Sequence, residues 1–185
     1  MRALEALGGA GAFSALGLVW VLGCSAAQRP VIVLSRPVAD SLNAIFVRSN
    51  EHWDELEDLT QLEKMLGTVR PTQKEYLGCL TGIHAGDTVR VEGWIPARNM
   101  KQLQFAVTGD CDGTPGLVGT FHTHPFRADT LNRPLKEPVL AKQDLETFAA
   151  STDLISVVVW DRDSLDAAAK GKDGQVLHPI AVLVR

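Results

Sequence analysis

The 185-residue chain is 45% hydrophobic and carries 22 acidic against 18 basic side chains, a net charge of −4. That length and apolar fraction suit one globular domain with a core of its own. The mild acidic balance excludes nucleic acid as the expected partner, since such a partner calls for a basic stripe, and no internal repeat or low-complexity tract is visible.

From Gly8 to Gly23 the chain carries no charge, and Ala10 to Leu22 is apolar or small throughout. This run is short for a membrane span, which needs about 20 apolar residues, and fits the core of a secretory signal. It closes on Val21-Leu22-Gly23-Cys24-Ser25, which resembles the lipobox of bacterial lipoproteins. On this reading residues 1–23 are a signal peptide, Cys24 becomes the lipidated first residue, 24–39 form a linker, and 40–185 form the domain. An uncleaved anchor and a plain hydrophobic N-terminal helix are the alternatives.

Pro30 to Leu34 is a short β-branched run closed by Arg36-Pro37, hence an edge strand or an extended lead-in. Asp40 to Val47 has room for a helical turn or two. A longer helix is expected next: Ser49 or Asn50 caps it, Glu51, Asp54 and Glu55 crowd its first turn, and Gly67 ends it. Trp53, Leu56, Leu59, Leu62 and Leu66 keep close to a 3.6 period along it. His52, among those acids, reads as a surface residue.

After Pro71 the period becomes that of strands. Glu75 to Gly82 opens one strand, Ile83 to Gly86 makes a turn, and Asp87 to Trp94 alternates as a second. Glutamate is disfavoured in strands, so Glu75 at the head of a glycine-bearing strand stands out. Leu103 to Thr108 reads as a further strand. Gly109 to Gly116 reads as a loop whose acids, Asp110 and Asp112, lack the regular spacing of a calcium loop. Cys79, inside an apolar run, reads as a buried small hydrophobe in preference to half of a disulfide with Cys111.

The stretch Leu117-Val118-Gly119-Thr120-Phe121-His122-Thr123-His124-Pro125 is an apolar strand ending in two histidines at i and i+2. Side chains alternate along an extended chain, so both imidazoles share a face. Neutral imidazole suits zinc, and a catalytic zinc keeps three protein ligands and leaves the fourth position to water. The pattern is short, and a pair of ordinary histidines on a half-exposed strand is the alternative. Phe126 to Pro138 has no periodicity and reads as an irregular insertion. Lys142 to Ala150 reads as a helix with Asp144 in its first turn, where an acid is favoured by the helix dipole. Asp153 to Trp160 is a buried strand, Gly171 to Gly174 a turn, and Leu177 to Val184 a last strand, with His178 structural.

Taken together, Glu75-Tyr76-Leu77-Gly78-Cys79-Leu80-Thr81-Gly82, His122-Thr123-His124-Pro125 and Ala141-Lys142-Gln143-Asp144 resemble the three motifs of the JAMM or MPN-plus zinc metallopeptidases. Those motifs are E-x-x-G-x-L-x-G, H-x-H-P and S-x-x-D, in that order. The resemblance covers roughly residues 40 to 185 and implies an α/β (α+β) fold, a curved mixed sheet flanked by helices with cytidine-deaminase-like architecture. It implies zinc on His122, His124 and Asp144, and Glu75 as general acid/base. Hydrolysis of an amide or isopeptide bond in a peptide or protein substrate then proceeds without a covalent intermediate.

Two departures from the family pattern bear on activity. His124 and Asp144 are 20 positions apart, so residues 126–138 form an inserted loop over the site, suited to selecting substrate. Ala141 stands where the family has a serine that helps hold the oxyanion, and losing one such donor costs on the order of 100-fold to 1000-fold in rate. Thr123, Thr120, Thr130 or a backbone N–H at the start of the Lys142 helix are the replacements at hand. The first expectation is therefore a membrane-anchored JAMM-type enzyme of the bacterial cell envelope. The alternatives are a non-catalytic zinc-containing binding module and, if Cys24 is not lipidated, a cytoplasmic processor of ubiquitin-like or sulfur-carrier proteins.

Overall fold

The computed structural model describes residues 29–50, 73–103, 105–129 and 133–185. Cys24 with its apolar segment, the helix expected after Asn50 with His52, and Thr130 lie outside them. Over the described residues the architecture is mixed α+β, a strongly curled eight-stranded sheet with two helices and two short ribbons.

Strand β1 (Val31–Leu34) is not the edge strand or lead-in expected of it, nor part of a linker. It lies inside the sheet, parallel to both β3 (Thr88–Pro96) and β12 (Val182–Val184), with Ile32 and Leu34 fully buried. A short apolar run without alternation is what a strand covered on both faces requires. Pro37 does not close this segment; it sits in the first turn of helix α1 (Arg36–Ser49), where its missing N–H has no partner to lose. The helix buries Val38, Leu42, Ile45 and Phe46, and Ser49 and Asn50 lie at its C-terminal end. The Asn50 amide donates back to the Phe46 carbonyl at 3.0 Å.

Strands β2 (Leu77–Ala85) and β3 form the expected hairpin, with the turn narrowed to Gly86-Asp87 and Gly86 at φ 61°, a conformation that suits glycine. The run Leu103–Thr108 is not one strand. It spans the tip of a ribbon, β4 (Arg98–Leu103) against β5 (Ala106–Asp110), with no glycine, proline or asparagine to announce the reversal. Strand β6 (Leu117–Thr123) lies antiparallel to β2 and parallel to β9 (Ile155–Asp161). Between β6 and β9 the chain makes a second ribbon, β7 (Arg127–Ala128) with β8 (Pro134–Leu135), and helix α2 (Lys142–Ala150), which keeps its expected bounds.

Strand β10 (Ser164–Lys170), antiparallel to β9, carries Ala167-Ala168-Ala169, and alanine is a weak strand former that gives no sequence signal. The expected strand at Leu177–Val184 divides into β11 (Val176–Leu177) and β12 around a cis His178–Pro179 bond. These two strands occupy opposite ends of the order β11-β10-β9-β6-β2-β3-β1-β12. Only residues 178–181 join them, and four residues reach at most about 14 Å, so the sheet must curl until its ends nearly meet. Ile180 N–H on the Ala167 carbonyl (2.9 Å) and Ile32 N–H on the Ala181 carbonyl (3.1 Å) mark the seam.

Alternation assigns each strand's side chains to one of two faces. Phe121, Ile155, Val157, Val159, Ala167 and Ala169 join α1 in the main core, while Val158 and Ala168 face α2 with Leu140 and Phe148. Gly119 lets β6 and β9 close up, since a Cβ there would stand 2.0 Å from the Ile155 carbonyl oxygen.

Cys79 is buried, yet it is not a free thiol: it is disulfide-bonded to Cys111, with Cα atoms 5.5 Å apart. The sheet brings the end of β5 beside β2, a proximity invisible in a sequence separation of 32. Closing a loop of that length is worth about 3–4 kcal/mol by the chain-entropy relation. Replacing both cysteines by alanine is therefore expected to lower the unfolding free energy by about that amount. Urea melts of the double variant and the wild type check this, and coincident curves would defeat it.

Candidate metal centre

The position of the histidines follows from where Thr123 points. Its hydroxyl is fully buried on the α1 face, accepts the Tyr76 N–H at 3.0 Å and lies 3.1 Å from the Ser49 hydroxyl. Its neighbours His122 and His124 must then face the other way, toward α2. The His124 N–H bonded to the Val159 carbonyl at 2.9 Å carries the extended chain one residue past β6.

From the opposite side, α2 presents Asp144 in its first turn. The Asp144 carboxylate reaches back to the Ala141 N–H at 2.7 Å, which closes the turn from within although Ala141 offers no side-chain cap. One oxygen of that carboxylate lies 3.5 Å from His122 Nε2 and 3.3 Å from His124 Nε2, and the two imidazole nitrogens are 3.1 Å apart. Donor atoms about 2.0–2.1 Å from one tetrahedral cation stand about 3.3–3.4 Å apart. The triangle's edges bracket that spacing to within about 0.3 Å, so the three side chains are compatible with a single metal ion. They are the only such group of three among the described residues.

The ring orientation of His124 is fixed by a partner on its far side. Its Nδ1 lies 3.2 Å from the Glu137 carbonyl, so Nδ1 donates there and Nε2 is the nitrogen turned toward the site. Burial alone would lower the His124 pKa, but its bonds to Asp144 and to Glu137 raise it. Burial acts on Asp144 too, upward, and is outweighed by the hydrogen bonds from both histidines and from Ala141, which hold the carboxyl well below the usual range. The candidate donors thus include an anionic carboxylate and a buried imidazole whose ring is held by the Glu137 carbonyl.

Glu75 comes to the same face by register. Leu77 pairs with His122, and the Thr123 N–H bonds the Tyr76 carbonyl at 3.0 Å, so the next pair along sets Glu75 beside His124. Its side of β2 continues down to a ribbon contact, the Glu75 N–H on the Leu103 carbonyl. Burial pushes the Glu75 carboxyl up to about 7, against the pull of His124 and with the repulsion of Asp144 added.

Other expected residues are placed differently. Thr123 does not serve the site as an oxyanion donor, because its hydroxyl is spent on the opposite face. The Thr120 hydroxyl donates to Asp153 at 3.3 Å. Ala141 does stand at the N-cap of α2, its own N–H on the Asp144 carboxylate, with first-turn N–H groups that no side chain caps.

Two supports had no signature in the sequence. The Glu137 carbonyl is main chain, and the Asn50 side chain, which accepts the Phe126 N–H at 2.8 Å, belongs to a distant helix end. Together with the Arg127–Glu137 pair (2.9 Å) they tie the 126–138 segment to the site at both ends.

Because the folded Glu75 carboxyl has a pKa of about 7 against an ordinary 4.5, the metal-free folded protein binds the proton more tightly than the unfolded chain. Its contribution to stability is fully present below about pH 4.5 and is lost as pH rises to about 7. Thermal melts of the metal-free protein across this range should show wild-type stability falling relative to Glu75→Gln. Parallel pH profiles would rule out the buried, proton-binding carboxyl.

Compared with models of protein families and with curated proteins, the chain matches none.

Proposed function

We propose that this chain is a zinc-dependent metallopeptidase of the JAMM type, hydrolysing an amide or isopeptide bond. The observation that carries the proposal is the convergence of His122, His124 and Asp144 at tetrahedral spacing, with Glu75 seated beside His124. Two nitrogens and one carboxylate oxygen are a donor set that suits zinc and leaves one position free. The mixed sheet with helices on its two faces agrees with the architecture that the motifs imply.

Bound zinc would supply an electrophile for the scissile carbonyl and a water acidified to near neutrality. The protein residues do the rest. Glu75, with a carboxyl near pH 7, accepts a proton from the attacking water and returns it to the leaving amine, because a group titrating near the working pH serves both directions. Asp144 stays anionic under the same conditions, which keeps it a ligand and not a competing base. The oxyanion donor falls to the uncapped N–H groups at the start of α2, where the helix dipole favours negative charge.

The disulfide between Cys79 and Cys111 supports an oxidising location. With the lipobox-like segment ending at Cys24, it favours a lipid-anchored protein of the bacterial cell envelope over a cytoplasmic processor. The substrate is then a peptide or protein met outside the cytoplasm.

The absence of a hydroxyl at Ala141 favours a second reading, a binding module that keeps zinc without turnover. Metal analysis and a peptide-cleavage screen of the purified protein decide between them. A single zinc per chain is expected, lost in His122→Ala, His124→Ala and Asp144→Ala. Glu75→Gln should keep the zinc and lose about 100-fold to 10,000-fold in turnover; loss of zinc with activity would make Glu75 a ligand or a fold determinant instead. Ala141→Ser should leave kcat/KM nearly unchanged while adding about 0.5–2 kcal/mol to stability through the new N-cap. A gain in kcat/KM of about 100-fold or more would favour the binding module.

A further inference from the structure

Asp166 and His178 form a second carboxylate–imidazole pair, on β10 and just past β11, away from all three proposed ligands. The Asp166 Oδ2 accepts from His178 Nε2 at 2.6 Å and from the Leu140 N–H at 2.9 Å. Both side chains are largely shielded, His178 at 22% and Asp166 at 11% exposure. No third ligand joins the pair among the described residues.

Its significance lies in what Leu140 leads to. Leu140 is the residue before the N-cap of α2, so the oxygen that holds its N–H holds the entrance to the helix that carries Asp144. The chain arriving there comes from the 126–138 segment, whose described residues form a ribbon of two two-residue strands. Two anchors therefore locate the helix start: the Leu140 side chain, packed with Phe148, Val158 and Ala168, and its N–H on Asp166.

The anchor and a ligand also share a common reference. Asp166 pairs with Val158 across β10 and β9, and Val158 pairs with His122 across β9 and β6. These three residues stand in one row on one face of the sheet, so Asp166 and His122 are two strand spacings apart, about 10 Å. A helix start fixed on Asp166 is thereby fixed relative to His122.

We propose that the Asp166–His178 pair is the positioning device of the metal centre: through the Leu140 backbone it sets where Asp144 stands relative to His122 and His124. The proposal rests on the reading of those three residues as a metal site. His178 holds the Asp166 carboxylate in the rotamer that meets Leu140, and a charge-assisted bond from each donor makes the clamp stiff. Metal ligation tolerates displacements of only about 0.2 Å, so a loosened α2 start weakens binding without removing a ligand.

The test compares full-length wild type, Asp166→Ala and His178→Ala by cobalt(II) titration, following both the dissociation constant and the visible absorption of the bound ion. Amide hydrogen exchange over Leu140 to Asp144 is measured in parallel on the metal-free proteins. Expected are a 10-fold to 100-fold weaker cobalt affinity, an altered cobalt spectrum, and faster exchange confined to the α2 start. Unchanged affinity and spectrum in a folded Asp166→Ala variant overturn the proposal. If the wild type takes up no cobalt, the metal-site reading itself fails, and unchanged exchange at Leu140 and Ala141 then overturns the positioning role separately. If Asp166→Ala does not fold, His178→Ala, which removes the more exposed of the two side chains, is judged by the same measures.

Discussion

Thr123 has no exposed surface, and its hydroxyl joins three elements: the strand that bears it, the backbone of Tyr76 ahead of β2, and Ser49 at the end of α1. A buried hydroxyl without partners is costly, so this arrangement is tightly specified. The two-residue period then leaves no freedom for its neighbours. His122 and His124 face α2 because Thr123 faces α1, and Glu75 faces them because Tyr76 packs with Phe121 and Trp94 on the α1 side. The site is in this sense the reverse side of a core contact.

Two carboxyl groups share the site and are driven apart by their surroundings. Asp144 meets hydrogen-bond donors from three directions and stays ionised, whereas Glu75 is buried with fewer compensating partners and rises to about 7. Such divergence is what the proposed division into a ligand and an acid/base group requires. It arises from the hydrogen bonds of the two histidines in one case and from burial in the other.

The segment at 126–138 has a structural part in the site. It supplies the Glu137 carbonyl that holds the His124 ring, and Arg127 links it by an ion pair to the same glutamate and by its guanidinium, 4.7 Å from the ring centre, to Phe105 of the β4–β5 tip. The long gap between His124 and Asp144 is therefore bridged by contacts at intervals, and the helix start is caught at its far end by Asp166.

The residues themselves determined the local features: the hairpin of β2 and β3, the bounds of α2, the burial of β9, and the shared face of His122 and His124, all consequences of periodicity and turn chemistry over a few positions. The grouping of Glu75, His122, His124 and Asp144 was legible as an ordered set of motifs, although their convergence was not. What only the tertiary structure decided depends on contacts between distant segments. The interior place of β1, the alanine-rich β10 and the splitting of β11 from β12 follow from a sheet curled until its ends approach. The disulfide, the diversion of Thr123 to the core, the Glu137 carbonyl and the Asp166 anchor share that origin. Each depends on a neighbour 13 to 74 positions away or on a main-chain group, and neither leaves a pattern in the order of side chains.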